Sequence, residues 1–369
     1  MNITVPRKEI LALLERVAPA ADAKSALPVL ASALLTAEGR TLRIAATDLF
    51  MAAMGQCEAE VEAPGVVALP AKDLLARCKA MPDGPIQITT TDSAQATVKA
   101  VGQARRYTLH GLPGTDFPLL PKASADTPTM TIPASLLAML MARTHFSIST
   151  DETRAHVNSA LLQLEAERLR MVSTDGHRLT LCEARADVQA APEMLIPLRA
   201  VSELRKLCGD DGDVSISREG PNAFFAFPGL TYSVRLVDAQ FPPWSQVIPR
   251  VVAKTFTVPR LALLDAVRAV QLAAAPRTGG ILLTASPRIL LIASVSPEGG
   301  NAQDEIPIDY AGEDVTIGLN AKYLLDVLGA TDDEEVELGL SGDLDPAVIR
   351  PARKVEPLFY LGVIMPMRV

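Results

Sequence analysis

Apolar and polar residues follow the same order three times along this chain. Segments 3–6, 130–133 and 256–259 each contain residues that favour strands and end in proline, and these prolines are separated by 127 and 126 residues. Apolar residues then recur with helical spacing, which predicts an amphipathic helix after each segment, with the proline in its first turn. A pattern that returns at this interval indicates three tandem repeats.

The remainder of each repeat continues with a similar order of predicted elements. Thr47-Asp48 and Thr174-Asp175 both follow a predicted strand and lie 127 residues apart. A second helix is predicted after Pro70 and after Pro197, and short strands are predicted to follow it. Each repeat is therefore predicted to be an α+β unit with two helices packed on antiparallel strands. The three predicted domains are 1–122, 123–250 and 251–369.

The composition is that of an ordinary globular protein, with 49% hydrophobic and 21% charged residues. Apolar runs are shorter than the roughly 18 residues that cross a membrane, and the N-terminal segment does not resemble a secretion signal. We therefore expect a cytoplasmic protein. Four scattered cysteines and four dispersed histidines argue against a metal site, and no cofactor is predicted.

Charge is distributed unevenly between the predicted helices and the rest of the chain. The net charge of −8 divides into +7 on the six predicted helices and −15 on the remaining residues. One explanation is that Lys and Arg are good helix formers. The other is that the helices face a polyanion, which they would bind through its phosphates regardless of base sequence. Aromatic residues make up 4% of the chain, which argues against a module that stacks nucleic-acid bases.

Five short motifs occur in order along the full length: LPVL at 27–30, TDGHRL at 174–179, FP at 241–242, YLLDVL at 323–328 and MPMRV at 365–369. Together they resemble the bacterial sliding clamp family, the β subunit of DNA polymerase III. The resemblance implies a DNA-clamp fold in which a head-to-tail homodimer forms a ring around double-stranded DNA. It also implies a non-catalytic processivity factor that tethers the polymerase α subunit, the clamp loader and other proteins with clamp-binding motifs.

Other interpretations of the same residues remain open at this stage. Asp175, His177 and Arg178 are residue types that could form an acid–base set, although they lack a partnered nucleophile or metal-ligand spacing. The same segment could instead be a plain turn between two strands, with Asp-Gly at the turn. The three repeats could also form a protein scaffold that does not bind DNA.

The resemblance further implies a peptide-binding pocket between segment 174–179 and the C-terminal strand. Such a pocket takes a Leu or Phe anchor, and adaptable methionine walls suit it. Gln246 and His156 stand where the family often has Arg and Tyr, while Arg178 and Arg368 are expected to contact polar groups of the peptide. The implied lining residues are Val157, Thr174, Gly176, His177, Arg178, Leu179, Pro242, Val247, Val363, Met365, Pro366, Met367 and Arg368.

Two more sets of residues follow from the resemblance. The DNA-contacting set, each member of which could equally be a solvated surface charge, is Lys24, Arg154, Arg199, Arg205 and Arg277. The dimer joint is expected to bring opposite charges together, which would determine its orientation. Its residues are Arg105, Arg106, Tyr107 and Leu109 in the first domain and Leu272, Ala273, Glu298 and Asp304 in the third.

Overall fold

The structure, a computed structural model, describes residues 1–91, 93–209, 211–275, 278–296, 300–353 and 358–369. All six predicted helices are confirmed. They are α1 Arg7–Val17, α2 Ala71–Ala80, α3 Ala134–Thr144, α4 Leu198–Leu207, α5 Arg260–Val270 and α6 Ala321–Gly329.

Each repeat surrounds its two helices with short strands. The first repeat contains β1 Asn2–Pro6, β2 Ser32–Glu38, β3 Thr41–Thr47, β4 Met51–Glu58, β5 Glu60–Ala63, β6 Gly65–Pro70, β7 Pro85–Thr90, β8 Gln95–Ala100, β9 Arg106–His110 and β10 Leu112–Pro113. The second contains β11 Thr129–Pro133, β12 Ser159–Glu165, β13 Arg168–Thr174, β14 Arg178–Arg185, β15 Ala191–Pro197, β16 Asp213–Glu219, β17 Asn222–Phe227 and β18 Leu230–Arg235. The third contains β19 Lys254–Pro259, β20 Gly280–Ser286, β21 Ile289–Ser296, β22 Gly300–Pro307, β23 Val315–Asn320, β24 Glu335–Leu340, β25 Ala347–Pro351 and β26 Leu358–Ile364.

The three repeats begin their first helix in the same way. The first backbone amide of α1, α3 and α5 donates to the carbonyl of Gly84, Gly212 and Glu334, at 3.1, 2.9 and 2.9 Å. These bonds satisfy one of the free amides that every helix N-terminus carries. The preceding proline ends the strand and lies just before the helix, so its predicted position in the first helical turn is wrong by one residue.

Contacts between Cα atoms divide the chain into two compact units. The first unit comprises 1–135 and 206–236, and the second comprises 136–205 and 237–369. The middle repeat is divided between them because β18 pairs with β4 of the first repeat, whereas β14 pairs with β26 of the third. The two compact units therefore do not coincide with the three repeats. The domain limits given from the sequence stay a prediction.

Antiparallel sheets form the framework of each unit. The first unit holds a sheet of order β5-β1-β7-β8-β9 and a sheet of order β10-β6-β2-β3-β4-β18-β17-β16-β11. The second unit holds the order β15-β12-β13-β14-β26-β25-β24-β19 and the order β22-β21-β20-β23. Helices bury an apolar face and leave their charges outside: in α4, Val201 and Leu204 are buried while Arg199 and Arg205 are exposed.

Candidate functional site

A tight turn joins β13 to β14 and defines one edge of the candidate site. The Thr174 hydroxyl accepts from the Gly176 amide at 3.1 Å and donates to the Arg178 carbonyl at 2.6 Å. The Asp175 carboxylate accepts from the amides of His177 and Arg178 at 2.8 and 3.0 Å. Gly176 has a φ of +95°, a conformation that glycine adopts without strain. The predicted strand–turn–strand is therefore confirmed.

The first repeat contains the same turn between β3 and β4. Thr47 donates to the Met51 carbonyl at 2.6 Å and accepts from the Leu49 amide at 2.9 Å. Asp48 accepts from the amides of Phe50 and Met51 at 2.9 and 2.6 Å. The Thr-Asp pair thus has a structural role in both repeats, and its hydrogen bonds offer no support for the acid–base interpretation.

Arg178 attaches this turn to α6 and to the segment after α3. Its Nε donates to Asp175 at 3.0 Å and its Nη1 to Asp326 at 2.6 Å, while Nη2 donates to the Phe146 carbonyl. The guanidinium also lies 4.4 Å from the centre of the Tyr323 ring. Each guanidinium nitrogen is engaged and the side chain is only 7% exposed, so Arg178 anchors the turn. It also lines the cavity described below, and its contact with polar groups of a peptide stays a prediction.

The C-terminal strand lies directly beside the turn. β26 pairs antiparallel with β14 up to Ile364 opposite Arg178, and the Met365 amide then donates to the His177 carbonyl at 2.8 Å. Leu179 and Val363 lie opposite each other in this ladder and are buried. The two segments that the resemblance brings together are therefore neighbours in the second unit.

A cavity of about 180 Å³ opens between these segments and the chain that follows Phe241. Its apolar walls are backed by a buried cluster that includes Leu181, Phe241 and Leu361. Such a concave, mostly apolar site with a few polar groups suits a short apolar anchor. The lining residues are Arg154, His156, Val157, Thr174, Gly176, Arg178, Leu179, Pro242, Trp244, Val247, Val363 and Met365.

Most of the predicted pocket residues meet at this cavity, but four lie outside its lining. His177 is exposed on the turn, and the tail after Met365 continues towards β23. There the Met367 amide donates to the Gly318 carbonyl at 2.9 Å, and the Met367 methyl group lies over Gly280. The residues predicted to line the pocket that do not line this cavity are His177, Pro366, Met367 and Arg368.

Three residues of the cavity lining are not among the pocket residues predicted from the sequence. Arg154 was expected at DNA, but its guanidinium donates to the Asp175 carbonyl at 3.0 Å and forms part of the cavity wall. His156 was noted only as a departure from the family. Trp244 was not singled out, although a lone tryptophan three residues after Phe241 is a signal that sequence analysis could have used.

The other predicted DNA contacts lie on the surfaces of their own units. Lys24 is exposed on a loop of the first unit, and Arg199 and Arg205 are exposed on α4. Arg205 donates to Nε2 of His145. Burial, followed by the charge of Arg205, lowers the pKa of His145, so the ring remains neutral and can accept this bond. Arg277 lies outside the described residues.

The first half of the predicted dimer joint lies at β9, an edge strand of the five-stranded sheet. Arg105 and Arg106 are exposed and Tyr107 is half-buried. The Leu109 side chain is buried in its own unit at 3% exposure, so the backbone of this residue is what the sheet edge presents, and its place at the dimer joint stays a prediction.

The second half of the predicted joint lies at β22, an edge strand of the four-stranded sheet, and at the short helical turn Gln271–Ala273. Leu272 is 84% exposed and Asp304 is also exposed, as an interface requires. Ala273 is buried at 7% exposure beside the exposed Leu272, and its place at the joint stays a prediction. Glu298 lies outside the described residues.

Two features are absent from the described residues. Among them, no group of three or more His, Cys, Asp or Glu side chains is arranged to hold a metal ion. Within the same ranges, every helix is too short or too polar to cross a membrane.

Comparison with known proteins agrees with the fold. Models of the DNA polymerase III beta subunit match three successive parts of the chain: the N-terminal domain at 1–121, the central domain at 131–243 and the C-terminal domain at 245–368. The β sliding clamp of Pseudomonas putida is 34% identical over 374 aligned residues, which cover both chains completely.

Solved structures give the same result over the whole chain. The DNA polymerase sliding clamp from Pseudomonas aeruginosa with a ligand superposes with a TM-score of 0.94 at 32% identity, with complete coverage of both chains. A Pseudomonas aeruginosa clamp bound to griselimycin gives 0.93 at 32% identity, again with complete coverage. This chain therefore belongs to the bacterial β sliding clamp family, the β subunit of DNA polymerase III.

Proposed function

We propose that two copies of this chain close head to tail around duplex DNA and slide along it. In this role the chain gives processivity to DNA polymerase III and has no catalytic activity or cofactor of its own. The proposal rests on the way in which strands of successive repeats pair, because the same pairing can be made once more between two copies. Its family membership supports the same function.

The two joints within the chain follow one rule. The strand after the Thr-Asp turn pairs with the last strand of the next repeat: β4 with β18, and β14 with β26. The equivalent strand of the third repeat is β22, and the strand of the first repeat that corresponds to β18 and β26 is β9. In the part of the chain that the structure describes, both are sheet edges. Pairing of β22 with β9 of another copy would follow the same rule. It would also give the backbone groups of both edge strands a hydrogen-bonding partner.

The joints also share one register. Met51 lies opposite Val234 in the first joint, and the residues at the equivalent positions, Arg178 and Ile364, lie opposite each other in the second. Because both joints have the same register, we expect it again where β22 of one copy meets β9 of the other. A shift of the register by one residue would turn the buried side chains to the opposite face of the sheet.

Applied to the two edges, this register pairs Leu109 with Gly300 of the partner copy. Four residues further along, Arg105 comes opposite Asp304. Both side chains are exposed in the single chain. The opposite charges predicted from the sequence therefore become one specific pair, which would favour head-to-tail over head-to-head association.

Exposed cations on the helices suit sequence-independent contact with phosphates. Arg199 and Arg205 are exposed on α4, and Lys24 is exposed on its loop. Contacts of this kind are salt-sensitive and carry no base information, so they permit sliding. The link to DNA would be topological, and an overall charge of −8 is compatible with it.

The cavity beside the β13–β14 turn would tether partners to the ring. Its size and apolar walls suit a Leu or Phe side chain of a short peptide. Partners expected on this basis are the polymerase α subunit, the clamp loader and other proteins with a clamp-binding motif, in the cytoplasm. The griselimycin complex of the Pseudomonas aeruginosa clamp supports the use of a ligand site in this family.

A loading experiment tests this function. The intact chain is loaded by its clamp-loading ATPase onto nicked circular DNA and onto linear DNA, and both are then washed at high salt. We expect the chain to stay on the circle and to leave it after linearisation. Loss from both templates in proportion to salt would indicate plain electrostatic binding and would refute the proposal.

A further inference from the structure

The single tryptophan of the chain stands in the wall of the cavity. Trp244 is half-buried, and its amide donates to the Pro242 carbonyl at 2.6 Å. Its side chain packs against the buried cluster that includes Phe241 and Leu361. A large flat ring in this position determines the shape of the space that an apolar anchor can enter.

One face of the indole is occupied by a buried cation. The Arg170 guanidinium lies 5.1 Å from the centre of the Trp244 ring, within the range of a cation–π contact. Arg170 does not line the cavity, and its side chain is only 11% exposed. It therefore contacts the wall from behind.

Strand pairing holds Arg170 in this position. Gln163 on β12, Arg170 on β13 and Glu183 on β14 form a row of directly opposed residues. Arg170 donates to Glu183 at 2.7 Å, to Gln163 at 3.0 Å and to Glu165 at 3.2 Å. A planar guanidinium held by several acceptors has little freedom to leave the ring face.

We propose that Arg170 is a positioning residue for partner binding, which holds the indole of Trp244 as a fixed wall that favours an aromatic over an aliphatic anchor. This inference rests on the proposed peptide site. Because the cation covers one face of the ring, an aromatic anchor would stack on the other, and it would gain more from stacking there than an aliphatic one. Without the cation, the ring gains rotational freedom that peptide binding must remove.

The test compares two substitutions on the same strand. Arg170→Lys keeps the positive charge beside Glu183 but loses the planar group over the ring. Arg168→Lys is the matched control, because Arg168 also pairs with Glu165 and Glu183, at 3.8 and 3.2 Å, but is half-exposed. Affinities of a Phe-anchored and a Leu-anchored peptide are measured for each, together with fluorescence anisotropy of Trp244.

We expect Arg170→Lys to weaken the Phe-anchored peptide by about three- to tenfold, to weaken the Leu-anchored peptide less, and to lower the anisotropy of Trp244. Arg168→Lys should leave all three unchanged. In a Trp244→Ala background, Arg170→Lys should have no further effect on affinity, because the group that it positions is gone.

An equal loss of peptide affinity in Arg170→Lys and Arg168→Lys would show a merely structural role and overturn the inference. So would a loss of affinity by Arg170→Lys that persists in the Trp244→Ala background. The proposed function fails on other evidence, namely if the wild-type chain binds neither peptide. Retention of Arg170→Lys on circular DNA should equal that of wild type, which separates partner binding from ring closure.

Discussion

At the scale of single residues, the site depends on backbone conformations and buried charges that few residue types allow. Gly176 has a φ of +95°, and a Cβ added there would stand 3.2 Å from the Arg154 guanidinium. Arg154 in turn donates to the Asp175 carbonyl. A residue without a Cβ at this position therefore leaves room for the adjacent wall of the cavity.

Replacing this glycine should affect both stability and binding. We expect Gly176→Ala to lower the free energy of unfolding by about 1 kcal/mol, because alanine is strained at positive φ, and to weaken peptide binding by displacing Arg154. Gly220→Ala is the control: its φ is +56° and nothing stands within 4 Å of the added Cβ. It should cost similar stability and leave peptide affinity unchanged. Denaturant unfolding and peptide titration measure the two effects, and unchanged affinity in Gly176→Ala would contradict the assignment.

His145 should make stability depend on pH. Burial and the neighbouring Arg205 lower its pKa in the folded chain, so below the ordinary histidine pKa the unfolded chain binds more protons. Its stabilising contribution is therefore present above that pKa and lost as pH falls. We expect His145→Gln to flatten the loss of unfolding free energy between about pH 7 and about pH 5. The exposed His177, changed to Gln, is the control, and an unaltered slope in His145→Gln would rule out this role.

The family resemblance identified most of the residues that line the cavity and missed Trp244, which is placed by long-range contacts. Leu179 and Val363 follow strand alternation, so their burial side by side was predictable once β14 and β26 were paired. Trp244 is placed by a short turn and by a cation from β13, neither of which has a local signal. Met367 lies outside the cavity lining because its bond to Gly318 joins segments that are remote in sequence.

At the scale of elements, the repeat accounts for what could be predicted. Helix limits agree with the sequence pattern within one or two residues, because each begins after a strand-ending proline or Asn320 and has a clear apolar face. The pairing of β4 with β18 and of β14 with β26 was not predicted. These pairs join strands of different repeats, and local periodicity contains no information on such partners.

Charge reversal tests the proposed joint between β22 of one copy and β9 of the other. Arg105→Glu or Asp304→Lys alone should weaken self-association, and the two together should recover about 1 kcal/mol, roughly fivefold in dissociation constant. The control is Arg106→Glu with Asp304→Lys, because the inferred register places Arg106 opposite Gln303. Sedimentation equilibrium measures each dissociation constant. Equal recovery in both double variants would exclude this register, and no recovery in either would place the joint elsewhere.

At the scale of the whole molecule, a ring forms only if the strand pairing seen between successive repeats also occurs between copies. Exposed helix cations, two matching sheet edges and family membership all support a closed ring. The cavity beside the β13–β14 turn would then recur once in each copy and give partners a binding site on the ring.

The most direct test is the shape and mass of the assembled protein. Light scattering combined with single-particle electron microscopy of the intact chain measures both without DNA or partners. We expect a particle of two copies that surrounds an open hole, with α4 lining that hole. A compact particle without a hole, or one with Arg199 and Arg205 on its outer surface, would contradict this expectation.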